Sequence, residues 1–241
     1  MRQLGIFLLI LGLAVNAVAQ KSFDKDTVKT SGGPLVITCV GHASLYLEWK
    51  HRIIQVDPFG RMADYSKLPK ADLILITHQH GDHLDPQAIG QIAKEDTRIV
   101  CPEVCEKLVN KPIVMKNGDR TEILGIHIQA VPGYNIQHKR DNGEPFHVKG
   151  VGNGYVLTFD DKKIYIAGDT EDIPEMADLK NIDIAFLPMN VPYTMTPEMV
   201  ASAVKLFHPK IVYPYHFGDT DTSKLVQLLK DEDVEVRVRK F

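Results

Sequence analysis

Cysteine is scarce in this chain. Its 241 residues hold three, an odd number, and Cys39 lies far from Cys101 and Cys105. That excludes the paired framework that staples small secreted domains. A Cys101–Cys105 bridge stays open by sequence, but a four-residue helical spacing aims two such side chains poorly, so buried free thiols are expected. An excess of positive charge is missing as well. There are 28 basic residues against 31 acidic ones, a formal charge of −3, with no lysine or arginine cluster. Phosphate neutralisation supplies most nucleic-acid affinity, so a nucleic-acid partner is not expected. A Gly-x-Ser-x-Gly elbow is absent too, and Ser44 in Gly41-His42-Ala43-Ser44 lacks that setting, which argues against a serine nucleophile. The glycines of Gly150-Val151-Gly152-Asn153-Gly154 lead into a strand rather than a helix, so they are not a dinucleotide fingerprint. No repeat of 20 to 50 residues appears.

The composition is otherwise globular: 44% hydrophobic and 24% charged residues suit one large domain with its own core. The N-terminus stands apart. Arg2 precedes an apolar run from Leu4 to Val15, followed by Ala17-Val18-Ala19. A positive start, an apolar middle and small residues at the end describe a secretory signal peptide over residues 1–19. The run is short for a membrane span and Asn16 interrupts it, so no stable anchor is expected after cleavage. A single domain over residues 20–241 is then periplasmic or secreted. Its balance is 27 basic against 31 acidic residues, or −4.

Short apolar runs and turn residues divide that domain into two strand-rich halves. Leu35–Cys39, Ser44–Trp49, Arg52–Val56 and Leu73–Ile76 read as strands, followed by a helix that Asp85 caps and Pro86 opens. Arg98–Val100, a short helix over Glu103–Val109, Ile113–Met115 and Ile126–Val131 continue the alternation. In the second half, Tyr155–Phe159, Lys163–Ala167, Ile182–Leu187 and Ile211–Tyr215 read as strands. A short helix is expected near Pro174–Leu179, a longer one behind Thr196-Pro197 through Phe207, and a final helix and strand close the chain. Mixed strands and helices without repeats imply sheets packed face to face and covered outside by helices, an α/β architecture. Residues 132–154 form an unusually long connection, which in a compact domain is functional or disordered. Its Tyr134, His138, Arg140, Phe146 and His147 suggest a substrate lip.

The densest chemistry is Thr77-His78-Gln79-His80-Gly81-Asp82-His83-Leu84-Asp85, directly after the apolar run. Three imidazoles and two carboxylates this close need a cation among them. Residues two apart in extended chain point the same way, so His78 and His80 can grip one ion, while the turn at Gly81 swings Asp82 and His83 towards another. Asp169 and His216 each follow a strand, where rigid scaffolds present functional groups. Alone, Asp169 would serve as a turn cap and His216 as a core residue; beside this motif they become candidate ligands. Asp57, also at a strand end, is either an acceptor for a ligand histidine or an Asp-Pro turn.

The set His78-x-His80-x-Asp82-His83 with Asp169 and His216 resembles the metallo-β-lactamase superfamily, over nearly all of the domain. Gly41-His42-Ala43-Ser44, Val56-Asp57-Pro58-Phe59, Tyr193-Thr194-Met195-Thr196-Pro197-Glu198 and Tyr213-Pro214-Tyr215-His216 are similar to the branch of metal-dependent hydrolases related to ascorbate-6-phosphate lactonase. That branch shares motifs with N-acylphosphatidylethanolamine-hydrolysing phospholipase D. The resemblance implies a four-layer αββα sandwich holding one or two divalent ions, zinc first, with manganese and iron as alternatives. It implies a first site at His78 and His80, a second at Asp82, His83 and His216, and Asp169 as the bridge. One ligand departs from the pattern: the histidine expected after the middle strand falls on Asn135. An amide oxygen is a weaker zinc ligand than imidazole, so Asn135 either leaves the first site weak or yields to His138 or His147 from the same long segment.

A bound divalent ion lowers the pKa of water from 15.7 to roughly 7, which supplies a hydroxide nucleophile at neutral pH. Asp82 is expected to orient it as well as bind metal. The expected function is therefore hydrolysis of an ester-like bond, lactone or phosphodiester, in a small or amphiphilic substrate lined by Tyr134, Tyr193 and Met195. The alternative is a non-catalytic metal-binding interaction protein whose first site has degenerated at Asn135.

Overall fold

The computed structural model describes residues 22–241. The signal-peptide reading of residues 1–19 lies outside them. Among the described residues no helix is long and apolar enough to cross a membrane.

Two seven-stranded sheets repeat one plan. The first runs side by side in chain order: β1 (Asp24–Thr30), β2 (Gly33–Gly41), β3 (Ser44–Trp49), β4 (Arg52–Val56), β5 (Leu73–Leu75), β6 (Arg98–Cys101) and β7 (Ile113–Val114). Its pairs are antiparallel as far as β4 and parallel afterwards. The second comprises β8 (Arg120–Ile123), β9 (Ile126–Gly133), β10 (Gly152–Phe159), β11 (Lys162–Ile166), β12 (Ile184–Pro188), β13 (Ile211–Tyr215) and β14 (Glu235–Val236). Here the change to parallel pairing comes after β11.

Side-chain alternation accounts for the layers. Leu73 and Leu75 point into the space between the sheets, while Ile74 and Ile76 point outward beneath α1 (Pro86–Ile92), which contributes Ala88, Ile89 and Ile92. In the second sheet Ile164, Ile166, Ile184 and Phe186 face inward. Tyr165, Ala185 and Leu187 face outward, against Val200, Val204 and Phe207 of α2 (Pro197–Phe207) and Leu225 of α3 (Thr222–Leu228). Strands buried on both faces read as continuous apolar runs, as these do. The result is helix, sheet, sheet, helix, the expected αββα order. Helix boundaries follow the caps: Asp85 accepts from the backbone N–H groups of Gln87 and Ala88, and the Thr196 hydroxyl accepts from that of Met199.

One local expectation needs correction, and two strands lay outside the expected set. The helix expected over Glu103–Val109 is only a 3₁₀ turn at Glu103–Cys105. Strand β1 was not anticipated, because it alternates exposed Lys25, Thr27 and Lys29 with half-buried Asp24, Asp26 and Val28, a charged composition of the kind that protects edge strands. Strand β8 was not among the expected strands either. The three thiols are free and buried; burial pushes those of Cys39 and Cys105 up to about 12, so they are poor nucleophiles.

Trp49 of β3 and Phe159 of β10 meet edge to face across the two sheets, ring centroids 5.4 Å apart. Phe159 is fully buried, so Phe159→Ala is expected to cost about 3–5 kcal/mol of stability. Urea unfolding measures this; an unchanged midpoint would contradict a close-packed middle layer.

Candidate metal centre

The candidate ligands lie where strands of both sheets end along one edge. Beyond β5, Thr77 is tied down by Asp57: its backbone N–H donates to Oδ1 at 2.8 Å and its hydroxyl to Oδ2 at 2.6 Å. The turn then closes by N–H donation from His83 and Leu84 to the His80 carbonyl. His42 follows β2, Asp57 follows β4 and His216 follows β13, all with left-handed backbones at φ 58°, 43° and 49°. Such positions cost energy and persist where surrounding contacts over-determine them. One of those contacts stitches the sheets together, since the His216 N–H donates to the His42 carbonyl at 2.9 Å. Gly168, φ 65°, lets β11 end against this loop; a Cβ there would stand 3.0 Å from both the Asn153 carbonyl oxygen and Thr77 Cβ.

Two groups of ligand-type atoms result, each within a 4.8 Å span: His78, His80, His147 and Asp169, and His42, Asp82, His83 and His216. Asp169 stands between them. Its Oδ2 lies 3.2 Å from His147 Nε2 and 3.8 Å from His78 Nε2. Its Oδ1 lies 3.4 Å from His83 Nε2 and 3.7 Å from His216 Nε2. Ligand atoms 2.0–2.1 Å from a tetrahedral ion stand about 3.3 Å from one another, so these separations are edges of metal-sized polyhedra.

The hydrogen-bond partners fix which ring nitrogens face inward. His83 Nδ1 lies 2.8 Å from Asp57 Oδ2, His147 Nδ1 2.6 Å from Asn135 Oδ1, and His78 Nδ1 3.0 Å from the Thr77 hydroxyl. With Nδ1 occupied as donor, Nε2 presents its lone pair to the centre. Among the described residues, His83, His147 and His216 Nε2 and Asp169 Oδ1 are buried without a hydrogen-bond partner. Four orphaned polar atoms converging on one place would cost several kcal/mol, and a divalent cation among them removes that cost. The residues present therefore fit metal ions.

Electrostatics agree with this. Burial alone would raise the Asp169 carboxyl, but His216, His83, His147 and His78 hold it well below the usual carboxylate range. Burial, with neighbouring imidazoles, pushes His78 well below its ordinary value, as a neutral ligand requires. His83 goes the other way: burial disfavours its cation, yet Asp169 and Asp57 outweigh that and raise it to about 9.

The structure places His78, His80 and Asp169 in one group and Asp82, His83 and His216 in the other. The departure at Asn135 resolves differently from a weak oxygen ligand. Its Oδ1 accepts from the backbone N–H and Nδ1 of His147, and its Nδ2 donates to Glu171 and to the Tyr193 carbonyl. Every polar atom of the amide is thus engaged, and His147 enters the first group in its place. His138 is held elsewhere, its Nδ1 2.9 Å from both the Thr194 carbonyl and Glu171 Oε1. Asp57 is fully buried and occupies the position behind His83 rather than serving only a turn.

Two expected lining residues do not line the site. Tyr134 turns its hydroxyl to Glu175 and packs in the outer apolar layer, and Met195 is fully buried in that same layer. Their apolar surface finds more contact there than at an open mouth. Tyr193 does line the larger cavity over the centre, about 480 Å³, together with Phe146, Arg140 and Asn190. His42 is the group that sequence reasoning missed. Its Nε2 lies 2.9 Å from Asp82 Oδ2 and its ring centroid 3.8 Å from that of His216; the signal was a histidine after a glycine at a strand end.

Comparison with known proteins agrees with this geometry. The β-lactamase superfamily domain matches residues 36–216. The chain therefore belongs to the metallo-β-lactamase superfamily and is a metal-dependent hydrolase of that fold. It is 35% identical over 197 residues to a UPF0173 metal-dependent hydrolase of Pyrococcus horikoshii, covering 74% of this chain and 83% of the relative. A crystal structure from Parabacteroides distasonis, assigned as a metal-dependent hydrolase, superposes with TM-score 0.88 at 51% identity, over 91% of this chain and all of the other. Igni18, a metallo hydrolase from Ignicoccus hospitalis, shares the fold at TM-score 0.71 and 24% identity, over 86% of this chain and 95% of its own.

Proposed function

We propose that the protein hydrolyses an ester-like bond, a lactone or a phosphodiester, in a small or amphiphilic substrate. The observation that carries the reading is the convergence of four unpartnered buried atoms, His83, His147 and His216 Nε2 and Asp169 Oδ1, beneath an open cavity. His78, His80 and His147 would hold one divalent ion, Asp82, His83 and His216 the other, and Asp169 both. Bound ions of this kind bring the pKa of water near 7 and polarise a carbonyl or phosphoryl oxygen. Zinc suits the imidazole-rich donor set best, with manganese and iron as alternatives.

The chain's own residues supply the rest. Asp82 is the proposed catalytic residue because its side chain is 37% exposed towards the cavity while its Oδ2 lies 2.9 Å from His42. Burial works against its charge, yet His216 and His42 hold its carboxyl far below the ordinary range. So acid a group is a poor proton acceptor and a good hydrogen-bond acceptor, which suits it to orient the attacking water. His42 keeps that carboxylate turned inward. Phe146 and Tyr193, ring centroids 5.1 Å apart, form a wall that limits water on one side. The motifs around Asp57 and Tyr193 support the lactonase-like branch, and the composition of residues 1–19 supports a periplasmic or secreted location.

A non-catalytic binding role drew on Asn135 as a lost ligand. With His147 beside Asp169, no observation favours it. Metal analysis of the purified protein, followed by a panel of lactones and phosphodiesters, tests the proposal. About two ions per chain are expected, with activity abolished by chelation and restored by metal. His80→Ala is expected to lower turnover at least about 100-fold, since it removes a ligand outright where changing a supporting group already costs 10–100-fold. A metal-replete protein inert towards every ester class would refute the hydrolytic reading.

A further inference from the structure

Arg140 is an exposed arginine at the mouth of the metal centre. It lines both cavities that open onto the metal centre, the larger with Asn190 and Tyr193 and a smaller one of about 180 Å³ with Val148 and Val151. Both reach the first group of ligands through His80, His147 and Asp169. Among the described residues, no carboxylate within 4.0 Å pairs with its guanidinium. The contacts it does make are a long bond from Nη2 to the Phe146 carbonyl, 3.4 Å, and the Phe146 ring, 5.0 Å from Cζ. Glu144 lines the smaller cavity, but its carboxylate accepts from Asn142, and it is absent from the larger one.

Arg52, Arg237 and Arg239 each bind an aspartate or glutamate. Arg61, Arg98 and Arg120 share with Arg140 the lack of such a partner, but none of them lines either cavity over the centre. A guanidinium stacked on an aromatic ring keeps its outer N–H groups free and pre-oriented for a planar or tetrahedral oxyanion. The centre below favours the same charge. Two divalent ions held there would leave a formal surplus of +2 over the carboxylates of Asp82 and Asp169, and a positive cleft concentrates anions.

We propose that Arg140 is a specificity-determining residue that binds an oxyanion of the substrate, so that the natural substrate class is an ester carrying negative charge next to the scissile bond. The inference rests on the hydrolytic reading and narrows it. The oxyanion is either the phosphoryl group of a phosphodiester or a carboxylate or phosphate pendant on a carboxylic ester, and the shared chemistry is what Arg140 recognises.

The test compares 4-nitrophenyl hydrogen glutarate with 4-nitrophenyl valerate on the metal-loaded full chain, and adds bis(4-nitrophenyl) phosphate. The two carboxylic esters share a leaving group and nearly a shape, and differ in charge. A preference of at least tenfold in kcat/KM for the charged ester is expected, collapsing in Arg140→Met through a rise in KM and partly restored in Arg140→Lys. Turnover of the phosphodiester with the same dependence on Arg140 would place the scissile phosphoryl group as the oxyanion; dependence confined to the glutarate would place it on a pendant group. An equal charged-to-neutral ratio in wild type and Arg140→Met overturns the proposal. Calorimetric binding of phenylphosphonate gives a second readout independent of turnover: about tenfold weaker binding is expected in Arg140→Met with metal content unchanged. Should no ester be hydrolysed, the hydrolytic reading fails, and equal phosphonate affinity in the two proteins would overturn the anion site separately.

Discussion

Asp169→Ala is expected to release both metals and to lower hydrolysis by about 10³-fold or more, because several kcal/mol of charge stabilisation disappears and each 1.36 kcal/mol is worth tenfold. The reason is positional. One oxygen faces His78 and His147 and the other faces His83 and His216, so a single substitution disconnects two sites. It also leaves the imidazoles of both groups facing one another without the anion that offsets them. Asp169→Asn keeps the shape while removing the charge, and separates loss of ligation from loss of packing. Metal content by elemental analysis, together with circular dichroism of both variants, measures the effect. Two ions retained in folded Asp169→Ala would show that the carboxylate is not the bridge.

The second large effect concerns the long connection between β9 and β10. His147→Ala is expected to lose one metal of the two, since the first group then keeps His78, His80 and Asp169 alone. Asn135→Ala is expected to weaken that metal by about 10–100-fold, the usual consequence of removing the group that orients a ligand imidazole. Asn135→His is expected not to tighten it, because the amide it replaces already holds His147 on one side and Glu171 on the other. Titration with a competing chelator distinguishes one lost ion from two. Tighter binding in Asn135→His would mean that position 135, rather than 147, faces the metal.

Glu171 explains how so long a segment can carry a ligand. It is fully buried, and its two oxygens accept the backbone N–H groups of Ile136, Gln137 and His138 as well as Asn135 Nδ2. Burial would raise its pKa, but those N–H groups outweigh burial and keep it lowered. An ionised carboxylate thereby gathers the start of the loop, and the Asn135 N–H donates to the His147 carbonyl at 2.9 Å to close it. A loop with its polar groups satisfied in this way can position a side chain as a strand end does.

Much of the fold was legible because alternation and caps are local. The runs Leu73–Ile76, Lys163–Ala167 and Ile211–Tyr215 carry their two-faced burial in their own residues, and Asp85-Pro86 and Thr196-Pro197 mark helix starts by hydrogen bonds within three residues. Strand β1 was not legible, since its charged face satisfies no apolar pattern and its pairing with β2 is a property of the sheet. The burial of Tyr134 and Met195 in the outer layer was equally hidden, because a residue next to a site in sequence can point away from it in space.

Metal chemistry and most of the candidate ligands could be read from residue order, because the 78–83 cluster acts through spacings of one to five residues along one strand end and turn. That His147 lies among these candidates, His42 beside Asp82, and Asn135 behind His147 follows instead from long-range folding. Those choices depend on which strand ends the two sheets bring together and on how Asn135 and Glu171 fold a long loop back over them, and contacts between residues 12 to 58 positions apart leave no period in the chain to be read.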